Sequence, residues 1–419
     1  MKVAIVSHGH PALGAGGAER AAYSLFEHLK TVPGVQPVFV ARAEPRDIGH
    51  DAPFGAFRGR TDELLWAPPP YEWFRRMSSA HDVLRRHVQS LVDHVRPDVV
   101  HFHHYIFFGL DVIGLFKSLA RCRTILTLHE YNLICHHDGQ MVKTRDLRLC
   151  SHASPAECHA CFPEYSAGRF FLRLRLIARQ LESVDQFISP SRFLRDRHAD
   201  WGLDADRISV VENALPPSFH VPAQGSSEAR RQDRVRFGFF GQLNPYKGAL
   251  VLLEAAKYLP SALLDQVEIV LFGANLDRQE QKFQDAVNRA IAASQARVSL
   301  FGPYQHADLQ TLLRSVDWMV IPSTWWENSP LVIQEARVVG LPILASNIGG
   351  MAEKVRDGVD GLHFLAGSAL DLAAKIEAIV TKRVSVKPTP LDLPAQNAGV
   401  LDAHLNLYGW TDVQRRIAT

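Results

Sequence analysis

No apolar run in this chain reaches the length needed to cross a membrane as a helix, so no spanning helix is expected. An excess of charge of one sign is also lacking. The 46 Lys and Arg stand against 44 Asp and Glu, a formal net charge of +2, which points away from a nucleic-acid partner. There is no internal repeat and no low-complexity tract. The N-terminus lacks the build of a secretory leader. Met1-Lys2-Val3-Ala4-Ile5-Val6 runs straight into Ser7-His8-Gly9-His10 and reads as a first strand, which implies a cytoplasmic protein. The loop after that strand has Gly9, Gly14, Gly16 and Gly17 but no G-x-G-x-x-G, which argues against a nicotinamide-dependent dehydrogenase. Cysteine is sparse at five residues, yet four fall within one segment.

What is present is an ordinary globular composition, 47% hydrophobic and 21% charged, over 419 residues. That length exceeds what one core usually serves, so two domains are expected, 1–215 and 232–390, with a linker through Pro216-Pro217 and 224–228. Strand and helix patterns alternate in both halves, which predicts α/β domains with parallel sheets. Strands are expected over 2–7, 36–42, 99–102, 124–128, 185–189 and 208–214 in the first half. In the second they are expected over 235–240, 267–272, 298–301 and 318–321. The stretch 44–70, with Pro45, Pro53 and Pro68-Pro69-Pro70, reads as irregular.

The most informative stretch starts at the apolar run Trp318-Met319-Val320-Ile321, which reads as a buried parallel strand. A short polar loop follows, then a helix for which Ser329 is a good N-cap and Pro330 a good first residue. The unpaired N–H groups at that start favour phosphate. Glu335 falls in the second turn, within reach of the same ligand. A phosphate site beside a carboxylate suggests a nucleotide, with Glu335 on the ribose hydroxyls. The plain alternative is an exposed glutamate on an ordinary helix.

Glu327 and Glu335 also form an E-x7-E pattern. With the intervening Asn328-Ser329-Pro330-Leu331-Val332-Ile333-Gln334, and with Gly340-Leu341-Pro342 to Gly349-Gly350 and Asp357 to Phe364 behind it, the stretch resembles glycosyltransferase family 4. Gly16-Gly17-Ala18-Glu19-Arg20 resembles the family's first loop, which lies beside the donor phosphate and the acceptor; the alternative is a plain tight turn. His129-Glu130-Tyr131-Asn132 resembles the strand end whose histidine contacts the donor sugar. In Gly241 to Gly248, Lys247 matches the lysine that neutralises the donor diphosphate. Gln242 stands where an arginine is usual, and a neutral amide cannot offset charge.

The resemblance implies a GT-B architecture, two Rossmann-like domains with parallel sheets facing an inter-domain cleft, with a final helix over 400–419 returning to the first domain. It implies retaining transfer of a sugar from a UDP- or GDP-sugar to a glycan or lipid-linked acceptor in bacterial cell-surface polysaccharide synthesis. The residues it implies as catalytic are His129, Glu327 and Lys247. The donor set is Gly16, Gly17, Gln242, Lys247, Asn328, Ser329, Pro330, Leu331, Val332 and Glu335. No cofactor is required, because Lys247 and the helix start can stabilise the leaving diphosphate. Two other readings stay open: a nucleotide-sugar epimerase, and a non-catalytic sugar-nucleotide-binding or scaffold subunit, the latter kept in view by Gln242.

His103 and His104, after the strand at 99–102, stand at a sheet's carboxyl end and are acceptor-side candidates with Glu130; a satisfied structural histidine is the alternative. Cys158-His159-Ala160-Cys161 is a C-x2-C knuckle, and Cys135 and Cys150, or in their place His136, His137, His152 or His159, would complete a structural zinc site in an insertion over 135–161; free thiols are the alternative. The stretch 168–181 is basic and apolar together. It reads either as a helix on an anionic membrane surface, which would suit a protein at the inner face of the membrane, or as a core helix edged by arginine.

Overall fold

The computed structural model describes residues 1–14, 16–49, 52–219 and 234–410. The expected linker at 224–228 and the end of the expected helix at 411–419 lie outside them. Contacts divide the chain into two compact units, Met1–Phe219 with Pro394–Thr419, and His220–Leu393.

The first unit is built on an eight-stranded sheet. Its strands are β1 (Lys2–Ser7), β2 (Gln36–Arg42), β3 (Phe54–Phe57), β4 (Arg60–Trp66), β7 (Val99–Phe102), β8 (Arg123–Thr127), β9 (Gln186–Ser189) and β10 (Ile208–Val210). Tyr71–Glu72 (β5) and Met77–Ser78 (β6) form a separate antiparallel ribbon. The sheet order is β10-β9-β8-β7-β1-β2-β4-β3, parallel except for the β3–β4 pair. The near-continuous apolar text of β1, β7 and β8 follows from burial on both faces, as parallel sheets require. Two of these strands correct the expectation of an irregular 44–70. Its prolines lie outside β3 and β4, and the charged Glu63 within β4, fully buried, interrupts the apolar pattern. Glu63 accepts from Tyr23 Oη at 3.2 Å and lies 2.9 Å from His10 Nε2.

Val3, Ile5, Phe26, Phe39, Leu65 and Ile188 form one core, joined by Leu405, Tyr408 and Trp410 from the chain end. The helix that supplies Leu405 and Tyr408 runs Leu393–Tyr408. It is fixed by His101, whose Nδ1 lies 2.7 Å from Tyr408 Oη while its Nε2 lies 2.6 Å from Thr127 Oγ1.

The second unit has a six-stranded, wholly parallel sheet of β11 (Val235–Gln242), β12 (Val267–Ala274), β13 (Arg297–Leu300), β14 (Trp318–Ile321), β15 (Ile343–Ser346) and β16 (Gly361–Phe364). Its order is β13-β12-β11-β14-β15-β16. Phe237, Phe239, Leu252, Leu271, Val320 and Leu344 are buried in its core. The order reverses between β11 and β14, so the loops leaving those two strands diverge and open a crevice at their carboxyl ends, where such sheets hold ligands. In the first unit the same reversal occurs at β1, between β2 and β7. Among the described residues no helix is long and apolar enough to cross a membrane.

Candidate active site

In the second unit, the loops after β11 and β14 deliver Lys247 and Glu327 to one point. After β11, Asn244 Oδ1 accepts from the N–H groups of Tyr246 and Lys247, both at 3.0 Å, and so sets a single tight turn. Gly248 closes it at φ +73°, and a Cβ there would stand 1.8 Å from the carbonyl oxygen of Pro322. Only glycine therefore lets this turn lie against the exit of β14. Thr324 N–H donates to Tyr246 O at 2.9 Å and ties the two loops together.

Lys247 Nζ then donates to Glu327 Oε1 at 2.7 Å. The same oxygen accepts from Ser323 Oγ and Trp325 Nε1, each at 2.8 Å. Glu327 is 6% exposed. Burial pushes its carboxyl up, but the Lys247 charge and the three hydrogen bonds outweigh this and hold it below the ordinary carboxylate range. Glu327 is thus an ionised, fixed carboxylate. Its backbone is fixed too: Gly350 N–H donates to Glu327 O at 2.6 Å, and a Cβ on Gly350 would lie 1.7 Å from Asn328 O. This close approach explains the paired glycines at 349 and 350.

The helix after this loop runs Leu331–Val338. Its N-cap is Pro330, with no side-chain cap bond, so the expected Ser329 cap and Pro330 first turn are shifted by one residue. The extended ψ of 120° at Pro330 holds the chain out of the helix for that residue. Asn328, Ser329, Pro330, Leu331 and Val332 are half-buried around the helix start. Glu335 is buried on this helix, with His306 Nε2 2.8 Å from its Oε1. Gln242 ends β11 and is exposed.

In the first unit a second group gathers at the carboxyl ends of β1, β7 and β8. His103 Nδ1 lies 2.9 Å from His129 Nε2. His104 Nε2 lies 3.6 Å from Glu130 Oε1, and its ring lies 4.2 Å from that of His8. His8 Nε2 reaches Glu19 Oε1 at 3.1 Å, on the helix Gly17–Leu29 for which Gly16 is the N-cap. His103 and His104 are 3% and 6% exposed, while His129 and Glu130 are half-buried. Burial, aided by the His8 charge, pushes His129 down to about 3. It pushes Glu130 up to about 7, against the opposing Asn132 N–H bond. A neutral imidazole and a carboxyl poised near neutrality can exchange hydrogen bonds with sugar hydroxyls without carrying fixed charge.

The structure therefore joins Lys247 with Glu327, His103 with His129, and His104 with Glu130. The sequence reading missed the groups that orient them: Ser323, Trp325, His306, His8 and Glu19. Ser323 and Trp325 flank Glu327 within the singled-out stretch, a local signal; His306 is brought in from a distant loop.

The cysteine segment behaves differently. Among the described residues no three His, Cys, Asp or Glu side chains converge as metal ligands. Cys150 Sγ donates to His152 O at 3.4 Å, and burial pushes Cys135 up to about 11 and Cys158 up to about 12. Cys135, Cys150 and Cys161 lie near enough to Cys158 for their charges to push its thiol up, so the fold gathers the four cysteines, and the structural zinc stays a proposal.

Comparison with known proteins bears on this arrangement. Residues 15–219 match Glycosyltransferase Family 4, and residues 223–391 match Glycosyl transferases group 1. The D-inositol 3-phosphate glycosyltransferase of Geodermatophilus obscurus is 31% identical over 313 residues, 72% of this chain and 63% of that protein. Its namesake in Salinispora arenicola is 31% identical over 176 residues, 38% of each chain. The chain thus covers less than two thirds of the length of these relatives. Among solved structures, Anabaena HepE in complex with UDP-glucose gives a TM-score of 0.60 at 17% identity, covering 97% of this chain and 100% of that one. Sucrose-phosphate synthase from Thermosynechococcus elongatus gives 0.64 at 18%, covering 97% and 96%. At these identities the likeness carries the fold alone, that of two Rossmann-like domains. The two family matches run in succession along nearly the whole chain, one on each parallel-sheet unit, and the chain belongs to the family 4 type of GT-B glycosyltransferases.

Proposed function

We propose that this chain transfers a sugar from a nucleotide-sugar donor, a UDP- or GDP-sugar, to a glycan or lipid-linked acceptor with retention of anomeric configuration, in the assembly of a bacterial cell-surface polysaccharide. The observation that carries the reading is the Lys247–Glu327 pair at the switch point of the second sheet. An ammonium group there suits the donor diphosphate, and a fixed carboxylate suits sugar hydroxyls. The UDP-glucose bound by the Anabaena neighbour supports a uridine donor.

In this reading Glu335 takes the ribose hydroxyls, with His306 orienting its carboxylate. The N–H groups at the start of the Leu331–Val338 helix add positive potential where the diphosphate leaves. The bond from the anomeric carbon to the diphosphate oxygen breaks, an acceptor oxygen bonds the same face of that carbon, and the acceptor's proton departs with the nucleotide. His129, neutral at pH 7, hydrogen-bonds a donor-sugar hydroxyl. No metal is needed, because Lys247 and the helix start supply the counter-charge. The name of the curated relatives adds inositol phosphate to the acceptors worth testing.

The test is product analysis. Purified protein is incubated with UDP- and GDP-sugars and a panel of lipid-linked, glycan and inositol phosphate acceptors, and the new linkage is read by proton NMR. A product with the donor's anomeric configuration supports the proposal. An inverted product contradicts the stereochemistry, and nucleotide-sugar binding without any transfer or hydrolysis favours a scaffold subunit instead.

A further inference from the structure

The helix Ala167–Leu181 has two unlike faces. Phe170, Arg173, Ile177 and Leu181 are buried, and at helical spacing they share one side. On the other, Phe171 and Leu172 are 53% and 67% exposed, interleaved with exposed Arg169, Arg175 and Arg179. No acidic residue occurs within the helix. Two adjacent large hydrocarbons left in water are an unfavourable feature on a surface without a partner.

Beside this face lies a cavity of about 280 Å³, lined by Phe74, Leu172 and Leu176 and by Arg75, Arg169 and Arg173, with Glu72. The Glu72 carboxylate is already taken by the N–H groups of Phe74 and Arg75, at 3.1 and 2.7 Å, and by Arg75 Nε at 3.0 Å. Arg173 is 4% exposed and, among the described residues, donates to backbone carbonyls, those of Phe74, Asn132 and Leu133, at 2.8, 2.8 and 3.3 Å. Arg76, fully buried, donates to Asn132 Oδ1 at 2.9 Å and lies over the Trp73 ring. Among the described residues, ion pairs link neither Arg76 nor Arg173 to a carboxylate. Glu130 is the carboxyl that feels the Arg76 charge, and burial holds it near neutrality, so two buried arginines are only partly offset and an anion at the cavity would complete the compensation.

We propose that this face docks on an anionic lipid bilayer. Phe171 and Leu172 enter the interface, and Arg175 and Arg179 meet headgroup phosphates. The cavity takes one lipid phosphate against Arg75 and Arg169, with the start of its chain along Phe74, Leu172 and Leu176. Charge complementarity selects the anionic surface, and the exposed hydrocarbons select a bilayer over a soluble acidic protein.

The test is co-sedimentation of the full chain with vesicles of phosphatidylcholine, with and without phosphatidylglycerol. Binding is expected only to the anionic vesicles, and it weakens with salt. Partition falls roughly tenfold or more in Phe171→Ser/Leu172→Ser. It falls about fivefold for each of Arg175→Gln and Arg179→Gln. These variants keep the wild-type Tm. Absence of sedimentation with anionic vesicles overturns the proposal, as does sedimentation that the variants leave unchanged. Thermal stabilisation by soluble glycerol phosphate without vesicle binding would make this a soluble-anion site, also against it. None of these readouts involves sugar transfer, so the outcome is independent of the activity proposed above.

Discussion

Lys247 Nζ and Glu327 Oε1 lie 2.7 Å apart, although the residues are separated by the strands and helices between two loops of the second sheet. The pair exists because β11 and β14 are neighbours on either side of the reversal in strand order. It places a cation and an ionised carboxylate together where the fold holds ligands.

Breaking this pair on one side leaves the other charge poorly compensated. Lys247→Met is expected to destabilise the protein by about 2 kcal/mol, below the range for a fully buried pair because Lys247 is 27% exposed. Transfer should fall roughly 100-fold or more. Glu327→Gln added to Lys247→Met should restore part of the stability but none of the activity. Urea unfolding of the two singles and the double separates these outcomes; additive losses would show that the pair is not coupled.

Acid should act on Glu327 in a stated direction. Its folded carboxyl is held below the ordinary range, so the stability it contributes is complete above the unfolded value and is lost as pH falls through the folded one. The stability gap between wild type and Glu327→Gln should therefore be constant near neutrality and close below about pH 4. Tm measured against pH checks this; a gap that widens in acid contradicts it.

His129 titrates to the same sign for the opposite chemical reason. Its imidazole is kept neutral in the fold, down to about 3, while the unfolded chain takes up the proton near 6.5. Stability is thus lost progressively as pH falls across that window. His129→Gln should flatten the acid limb by at most about 1.4 kcal/mol per pH unit. Chemical denaturation from pH 7 to 5 reads the slope directly.

Gly248→Ala should be among the most damaging single-methyl changes in the chain. The new Cβ meets Pro322 O at 1.8 Å and sits at φ +73°. A loss of about 3 kcal/mol or more is expected, with Lys247 displaced from Glu327. Wild-type Tm in this variant would show that the two loops do not pack as described.

His306→Ala leaves Glu335 without its 2.8 Å partner. If Glu335 takes the ribose as proposed, KM for the donor should rise about tenfold with kcat nearly unchanged, and His306→Gln should recover much of it. Loss confined to kcat would place His306 elsewhere in the reaction.

Much of this was legible in the chain. β1, β7, β11 and β14 were readable because parallel strands buried on both faces are written in unbroken apolar text. The loop–helix text from Glu327 to Glu335 stood out because a proline at a helix start and two carboxylates eight residues apart are local signals, although the cap itself falls on Pro330 and not Ser329. What could not be read depends on distant pairing. β4 was hidden by Glu63, whose burial makes sense once His10, Tyr23 and Arg60 are seen around its carboxylate. The Lys247–Glu327 bond depends on strand order, and the His306–Glu335 contact on a separate loop. The cysteine spacing reads as a zinc knuckle, but which side chains meet there is set by tertiary placement, which brings Cys135, Cys150 and Cys161 near Cys158.

The most direct test is calorimetric titration of UDP-, GDP-, ADP- and CMP-sugars into the wild type, Glu335→Ala and Lys247→Met. The account predicts that one nucleotide sugar binds the wild type, and that each substitution weakens it by roughly tenfold or more with the fold intact. If no nucleotide sugar binds at millimolar concentration, or if both variants bind as the wild type does, the second sheet's switch point is not the donor site and the central claim is wrong.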